Sequence, residues 1–259
     1  MSGLMVGAVH LANDAPPGPE RVRLAASLIG AAAGDGCRLA VLPELAWSNL
    51  AVLQHRGITA ADEAVYREAL ATLGGTARST GCAVVAPMIL PAPPGGHGNG
   101  AVVLDEFGEV AGTARKHRLP AGPGLDETAV FAPGQDWCVA SLHAAQVGVL
   151  VCADRRDPDH WRALASMGAS VVAVLVAGSG GDAAGMVLAE LRTYSRLAGV
   201  GAVFACRAGT DTADGAEAVH HAASCVVGAD GTVLAGPLTS EASGVAMAAL
   251  ARVGSSVGD

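Results

Sequence analysis

The amino-acid sequence predicts a single α/β domain, residues 1–259, built on a mixed β-sheet system. Three observations lead to this prediction. Apolar residues make up 51% of the chain and charged residues 15%, a globular composition. Strand-like apolar runs alternate with amphipathic helices in the first half, whereas the later strands follow one another as hairpins. No linker and no internal repeat with a period of about 20–50 residues divides the chain.

The first half reads as strands separated by helices. Pro19 begins the first helix, because proline suits the first helical position, and Gly34 ends it. Thr59 caps a second helix, and Asp62 three positions later completes a capping box. Strands are predicted at residues 4–11, 38–42 and 82–89, and a loop rich in proline and glycine at 91–98.

The second half begins with a hairpin, in which strands 101–104 and 109–114 flank a turn at 105–108. A long polar loop, 117–136, follows. Asp157 and Pro158 supply the N-cap and the first-turn proline of a helix that extends through Met167. The remaining predicted elements are strands at 146–152, 170–177, 200–206, 222–227 and 232–234, a helix at 182–198, and a turn at 229–231.

Composition also limits partners and location. A formal net charge of −8 argues against nucleic acid, because no basic stripe is available to displace counterions from phosphates. The six cysteines contain no Cys-x-x-Cys motif, which favours neither a disulfide framework nor a zinc ribbon. The most apolar stretch, 169–178, is about half the ~20 residues of a bilayer helix, and the N-terminal residues lack the basic region of a secretory signal. We therefore expect a cytoplasmic protein without a membrane span.

Three polar residues follow predicted strands, where ligands bind in α/β sheets: Glu44, Lys116 and Cys152. A thiol nucleophile needs a base to take its proton and a cation to hold the negative charge that develops. The helix that begins at Pro158 directs its positive end toward Cys152, which we expect to favour the thiolate. Taken singly, each residue has a common structural explanation, as an inert buried cysteine or a solvated charge.

The surrounding segments change that balance. They are Leu39-Ala-Val-Leu-Pro-Glu44, Arg115-Lys-His-Arg-Leu-Pro120 and Val149-Leu-Val-Cys-Ala-Asp-Arg-Arg-Asp-Pro-Asp159. Their order and spacing resemble the three signature motifs of the nitrilase superfamily of carbon–nitrogen hydrolases, and the resemblance extends over almost the whole chain. It implies a four-layer αββα sandwich with mixed sheets, and assembly into a homodimer or a higher homo-oligomer.

The resemblance also implies roles for the site residues. Glu44 would be the general base, Lys116 the stabiliser of the transition state and Cys152 the nucleophile that forms a thioester. The backbone N–H of Ala153 would join Lys116 in holding the oxyanion. Glu127 matches a second glutamate of the family, with a catalytic or substrate-orienting role, although a solvated loop carboxylate is the alternative. No metal or organic cofactor is required.

The residues after the nucleophile narrow the substrate. Ala153 and Asp154 stand where the nitrile-cleaving branch carries Trp-Glu, which favours hydrolysis of a small amide, and the segment 120–127 is similar to a loop of N-carbamoyl amidases. Nitrile hydrolysis, acyl transfer to an amine, and a catalytically silent binding partner remain alternatives. The sequence does not choose among ω-amides, carbamoyl amines, carbamoyl amino acids and nitriles. With aromatics at 3% of the chain, a small or polar substrate is expected.

Four further residues are candidates for the site or for a metal. Trp47 and Ser179 are possible pocket residues, although Ser179 lacks the Gly-x-Ser-x-Gly frame of a serine hydrolase. His220 and His221 favour a solvated loop pair over a metal site, because no further ligand lies at a suitable spacing. The departures from the family pattern are Asp157, Leu197, Ala198 and Cys206.

Overall fold

The computed structural model describes residues 3–13, 15–122, 126–143, 145–178, 184–213, 215–220 and 223–251. The strands are β1 (Leu4–Ala12), β2 (Leu39–Val41), β3 (Ala83–Pro91), β4 (His97–Leu104), β5 (Val110–Arg115), β6 (Val139–Leu142), β7 (Ala145–Val151), β8 (Val171–Val176), β9 (Gly201–Ala213), β10 (Ala216–His220), β11 (Ser224–Val227), β12 (Val233–Leu238) and β13 (Gly244–Leu250). The helices are α1 (Pro19–Gly34), α2 (Leu50–Arg56), α3 (Ala60–Thr80), α4 (Pro158–Ser166) and α5 (Ala184–Ala198). No helix in the described ranges is long and apolar enough to cross a membrane.

The strands form two sheets that join at one corner. The first has the order β5-β4-β3-β2-β1-β13, and the second contains β6-β7-β8-β9 with β11 and β12 beyond β9. The junction is a short parallel pairing of β1 with β9, at Leu11–Arg207 and Ala12–Ala208. Elsewhere in the described residues, strands of the two sheets do not pair with each other, and the sheets pack face to face.

Three apolar cores separate four layers. Side chains alternate along each strand, so that Val172 and Val174 of β8 pack against α4 and α5, whereas Ala173 between them faces the first sheet. On the other side, α1 and α3 cover the outer face of the first sheet through residues such as Ile29 and Leu73. The architecture is therefore a mixed α/β sandwich, and the predicted αββα fold class is confirmed.

Strand directions bring several strand ends to one edge. Strands β1, β2 and β3 are parallel to one another, as are β7, β8 and β9, and β1 is also parallel to β9. Strand β5 runs in the same sense because β4 is antiparallel to both β3 and β5. The loops that carry Glu44, Lys116 and Cys152 consequently leave the sandwich at the same edge.

Local signals in the sequence are confirmed where they specify helix ends. Thr59 and Asp62 form the capping box of α3, and Asp157 caps α4 with Pro158 in its first turn. Strand β4 begins at His97, not at residue 101, so the predicted loop 91–98 is shorter than expected, and β9 extends beyond the predicted residue 206. Sequence patterns did not indicate β6, β10, β13 or α2. Each is short or gains its place from a distant partner, as when β13 pairs with β1.

Candidate active site

Three charged side chains meet at this edge, buried from solvent. Lys116 Nζ donates hydrogen bonds to Glu44 Oε1 at 2.7 Å and to Glu127 Oε1 at 2.6 Å. The three residues are 0%, 1% and 3% exposed, respectively for Lys116, Glu44 and Glu127. Glu127 is thus an ion-paired buried carboxylate, and the alternative of a solvated loop residue is wrong.

A short turn holds Glu127 in this position. It begins a 3₁₀ turn, Glu127–Ala129, whose N-terminal residue Asp126 accepts a hydrogen bond from the Thr128 backbone. The Glu127 N–H donates to Pro120 O at 2.9 Å, and its carbonyl accepts from the Phe131 N–H at 2.8 Å. The loop predicted at 117–136 is therefore anchored on both sides of its buried glutamate.

Asn99 is part of the same cluster, and sequence reasoning missed it. Its Nδ2 donates to Glu44 Oε1 at 2.7 Å and to Glu127 Oε2 at 3.3 Å, and the side chain is 1% exposed. Its backbone carbonyl accepts the Lys116 N–H at 2.8 Å. The signal available in the sequence was a lone asparagine in a glycine-rich stretch, in the gap between the predicted loop 91–98 and the predicted strand 101–104.

The second carboxylate oxygen of Glu44 is held by the other sheet. The Ala177 N–H, just after β8, donates to Glu44 Oε2 at 3.0 Å. His220 donates from Nδ1 to Ala177 O at 2.6 Å and is 6% exposed. The prediction of a solvated histidine is therefore wrong for His220, which is buried behind Ala177, while His221 lies outside the described residues.

Cys152 lies directly after β7, at a sharp change of chain direction. It has φ 48°, a left-handed conformation that is uncommon for a residue with a side chain, and it begins the 3₁₀ turn Cys152–Arg156. Asp154 fixes this turn, because its carboxylate accepts the backbone N–H of Arg118 at 2.8 Å and that of His117 at 3.1 Å. The segment after Lys116 is thereby bound to the segment after Cys152.

Electrostatics keep Glu44 and Lys116 charged despite their burial. Burial by itself raises the pKa of Glu44, but the Lys116 charge and the hydrogen bonds to the carboxylate outweigh it and hold the pKa below the usual range. Burial likewise opposes charge on Lys116, yet Glu44 and Glu127 raise its pKa above the usual value. Glu127 differs, because burial and the Glu44 charge raise its pKa to about 7.

Cys152 rests as a thiol. Burial and the nearby Glu44 carboxylate raise the pKa of its side chain well above the ordinary value, and the opposing charges of Lys116 and Arg155 do not offset them. The expectation that α4 would favour the thiolate is therefore wrong for the resting site. Attack by this sulfur requires a base that takes its proton, and Glu44 is an ionised carboxylate within electrostatic reach.

A family comparison matches this arrangement. The carbon–nitrogen hydrolase family model spans residues 6–255. The chain belongs to the carbon–nitrogen hydrolase family. This membership agrees with the resemblance seen in the three segments around Glu44, Lys116 and Cys152.

Solved structures similar to this carbon–nitrogen hydrolase include an amidase from Nesterenkonia sp. AN1. A glutamate-to-glutamine mutant of that amidase, with acrylamide joined to its active-site cysteine by Michael addition, matches with a TM-score of 0.81 and 26% identity over 95% of this chain and 93% of that chain. A cysteine-to-alanine mutant of the same nitrilase-superfamily amidase matches with a TM-score of 0.81 and 27% identity over 97% of this chain and 92% of that chain.

Curated relatives of this carbon–nitrogen hydrolase match over a shorter segment. N-carbamoylputrescine amidases from Solanum tuberosum and Arabidopsis thaliana are 36% and 34% identical to it over 77 residues, which cover 29% of this chain. The match spans 26% of the length of these curated relatives.

The remaining predicted residues lie around the cluster in different ways. Ala153 is buried beside Cys152 at the start of the turn. Trp47 lines a cavity of about 340 Å³ with Ser48 and Thr212, but none of the described residues of the charged cluster lines that cavity. Ser179 lies outside the described residues. No group of three or more His, Cys, Asp or Glu within the described ranges is arranged to hold a metal ion.

The departures from the family pattern lie outside the charged cluster. Asp157 caps α4, Leu197 is 68% exposed on α5, where Ala198 is half-buried, and Cys206 is buried in β9. Next to Cys206, Arg207 donates to Leu45 O at 3.2 Å and to Ser48 O at 2.9 Å.

Arg207 thus holds the turn after Glu44. Leu45 in that turn has φ 47°, a left-handed conformation, and Asp211 forms ion pairs with both Arg207 and Arg21. These three buried charged side chains fix the segment from which Glu44 projects.

Proposed function

We propose that this protein hydrolyses the C–N bond of a small amide or N-carbamoyl compound through a thioester on Cys152. The observation that carries the proposal is the buried cluster in which Lys116 bridges Glu44 and Glu127. It lies at the edge where Cys152 follows β7, so that the cluster supplies the base and the cation next to the cysteine nucleophile. Similarity to amidases supports a substrate of the amide class.

The first half-reaction forms the thioester. Glu44 takes the proton of Cys152 as the sulfur attacks the carbonyl carbon, because the thiol is not ionised at rest. The C=O electron pair moves to oxygen, where Lys116 Nζ and the Ala153 backbone N–H stabilise the oxyanion. Glu44 then returns the proton to the nitrogen, the C–N bond breaks, and ammonia or an amine leaves.

The second half-reaction releases the acid. Water attacks the thioester carbon while Glu44 takes one of its protons, and the C–S bond breaks. The proton passes back to the Cys152 sulfur, which restores the resting thiol. The balance is one amide and one water converted to one carboxylic acid and one ammonia or amine. With an N-carbamoyl substrate the acid is a carbamic acid, which decomposes to CO2 and a second molecule of ammonia or amine. Each step uses groups of the chain itself, so the proposal calls for no cofactor.

Glu127 serves this chemistry as a substrate-orienting group. It shares Lys116 with Glu44, so it holds the ammonium in place. Its carboxylate also has lone pairs that accept an N–H of the substrate amide. Because its pKa lies at about 7, the ionised form needed for both contacts is present above neutral pH. We expect activity to rise with pH through this range.

An ammonia-release assay tests the proposal. The substrates are small ω-amides, carbamoyl amines, carbamoyl amino acids and the matched nitriles, each assayed with wild type and with Cys152→Ala. We expect turnover of at least one amide or carbamoyl compound by wild type and none by the variant. The matched control is Cys138→Ala, a buried cysteine in the inter-sheet core, which should keep activity. Turnover by folded Cys152→Ala would disprove the mechanism.

The alternatives separate in the same assay. Faster acid formation from a nitrile than from its amide would indicate nitrile hydrolysis. When an acceptor amine is present, an acyl-transfer enzyme would form the N-acyl amine in preference to the acid, whereas a hydrolase would still form mainly the acid. For a silent family member, no substrate turns over and no acyl adduct on Cys152 appears by intact-mass spectrometry.

We also infer a single-domain cytoplasmic enzyme that works as a homodimer or a higher homo-oligomer. Support for assembly comes from the outer α4–α5 layer, where Met167, Met186 and Leu197 are 50%, 62% and 68% exposed. Large exposed apolar side chains on one outer layer are candidates for an interaction surface. Sedimentation velocity with Leu197→Lys as the interface variant tests this inference, and a monomeric wild type would overturn it. Trp47 and Ser179 remain proposed as pocket residues.

A further inference from the structure

We propose that Asn99 is a positioning residue, which sets the placement of Glu44 and Glu127 around Lys116 for the reaction. This inference rests on the proposed function, because it assigns Asn99 a task in that chemistry. Asn99 does not touch the reacting atoms in this assignment. It acts through the two carboxylates that its amide group holds.

The hydrogen-bond count at Asn99 matches this task. An amide nitrogen has two hydrogens, and Asn99 Nδ2 donates one to Glu44 Oε1 and the other to Glu127 Oε2. Lys116 Nζ donates to the same two carboxylates. The four side chains therefore form a closed ring, in which each carboxylate is held by two donors on different strands or loops.

The backbone explains why Asn99 reaches the ring. Strand β4 is antiparallel to β3, so its first residues lie at the edge where β3 and β5 end. The Asn99 carbonyl accepts the Lys116 N–H at 2.8 Å. One residue thus fixes Lys116 through its main chain and fixes the partners of the ammonium through its side chain.

The orientation of the amide is set by these carboxylates alone. Asn99 Oδ1 is buried and has no hydrogen-bond partner. A flipped amide would place that oxygen against two anionic groups, which is unfavourable while they are ionised. Donation from Nδ2 lowers the pKa of both Glu44 and Glu127. Loss of the donor should therefore raise the pH at which Glu127 ionises.

The test uses Asn99→Ala and Asn99→Asp with Asn49→Ala as the matched control. Asn49 is also a buried asparagine with two kinds of partner, since it caps α2 and donates to Asp211 O, but it does not contact the carboxylates. Full-length proteins carrying ¹³Cδ-labelled glutamate are titrated by NMR, with Glu127→Gln used to assign the Glu127 signal. We expect the Glu127 midpoint to move upward in Asn99→Ala and to stay in place in Asn49→Ala.

Activity provides the second readout. We expect kcat to fall about 10- to 100-fold in Asn99→Ala, because hydrogen bonds to charged groups are the stronger ones. In Asn99→Asp we expect a larger fall, because the new carboxylate lies against Glu44 and Glu127. The acidic limb of the pH–rate profile for kcat should move to higher pH. KM should change little. Circular dichroism establishes that each variant is folded, and Asn99→Ala decides the question if Asn99→Asp does not fold.

The outcomes separate this inference from the proposed function. If wild type turns over no amide or carbamoyl compound, the proposed function fails, and the inference, which rests on it, fails too. If wild type is active but Asn99→Ala keeps both the Glu127 midpoint and the acidic limb of wild type, only the assignment of Asn99 is overturned. The assignment of Asn99 is supported if the Glu127 midpoint and the acidic limb both move to higher pH in Asn99→Ala and neither moves in Asn49→Ala.

Discussion

Ala177 donates its backbone N–H to Glu44 Oε2 at 3.0 Å, and this hydrogen bond joins the two sheets at the site. Glu44 follows β2 in the first sheet, whereas Ala177 follows β8 in the second. The carboxylate is therefore held from both sides of the sandwich, by Lys116 and Asn99 in its own half and by a main-chain donor in the other.

His220→Ala should weaken catalysis by loosening this contact. Removal of its hydrogen bond to Ala177 O loosens the residue whose own N–H holds Glu44, and one hydrogen bond of about 1 kcal/mol corresponds to a loss in kcat/KM of up to about tenfold. Burial lowers the pKa of His220 to about 3, so the loss should be the same from pH 6 to 9. Steady-state kinetics across this range measure it, with exposed His55→Ala as the control; a strongly pH-dependent loss would contradict the assignment.

Glu127→Gln should change how stability depends on pH. The folded state holds the Glu127 proton up to about pH 7, compared with 4.5 for an ordinary glutamate, so the stabilisation is complete below pH 4.5 and is lost as pH rises through 7. This difference in pKa corresponds to a change in the free energy of unfolding on the order of 3 kcal/mol between low and high pH.

Urea unfolding at pH 4.5 and pH 8 checks this prediction. Wild type should lose stability relative to Glu127→Gln over that interval. The control is Glu68→Gln, which replaces an exposed carboxylate on α3 far from the cluster. Parallel pH curves for wild type and Glu127→Gln would show that the proton is not held.

Asp154→Ala should destabilise the protein and reduce activity together. The substitution leaves the backbone N–H groups of His117 and Arg118 without their acceptor, at a cost of about 2–4 kcal/mol in the free energy of unfolding. It also frees the turn that carries Cys152. Chemical denaturation and turnover measure the two effects, and Asp159→Ala, whose partner is the exposed Arg162, should change neither.

Thr59→Ala should cost stability without affecting turnover. It removes the side-chain oxygen that accepts the Asp62 N–H and so breaks the capping box of α3, which is worth about 1 kcal/mol. Thermal unfolding should show the loss. Activity assays should match wild type, because α3 contacts the sandwich on its outer face. A fall in kcat/KM at a temperature where Thr59→Ala is still folded would mean that α3 contributes to the site.

The sequence predicted those features whose cause is local. The Thr59 capping box and the Asp157–Pro158 start of α4 depend on residues within one helical turn. The alternation of strands and helices, together with three ordered segments, was sufficient for the fold class and for placing Glu44, Lys116 and Cys152 at one edge.

Asn99 and His220 could not be predicted in the same way. Each gains its importance from a partner far along the chain, Glu44 for Asn99 and Ala177 for His220. Neither residue carries a local pattern, and composition placed Asn99 beside a loop. The prediction that Cys152 favours its thiolate was wrong for a related reason. It considered the N-terminus of α4 but not the burial of the thiol or the nearby Glu44 carboxylate, which exist only in the folded protein.

The thin middle layer of the sandwich acts as a spacer for the chemistry. The described buried side chains between the sheets are aliphatic or cysteine, such as Val6, Val149 and Ala173, with no aromatic among them. Glu44 follows a strand of one sheet and Cys152 follows a strand of the other, so we expect the volume of these side chains to set the distance between the proposed base and the proposed nucleophile. A larger side chain at position 173 should therefore change the rate of the reaction, although Ala173 is fully buried in the core and does not contact the substrate.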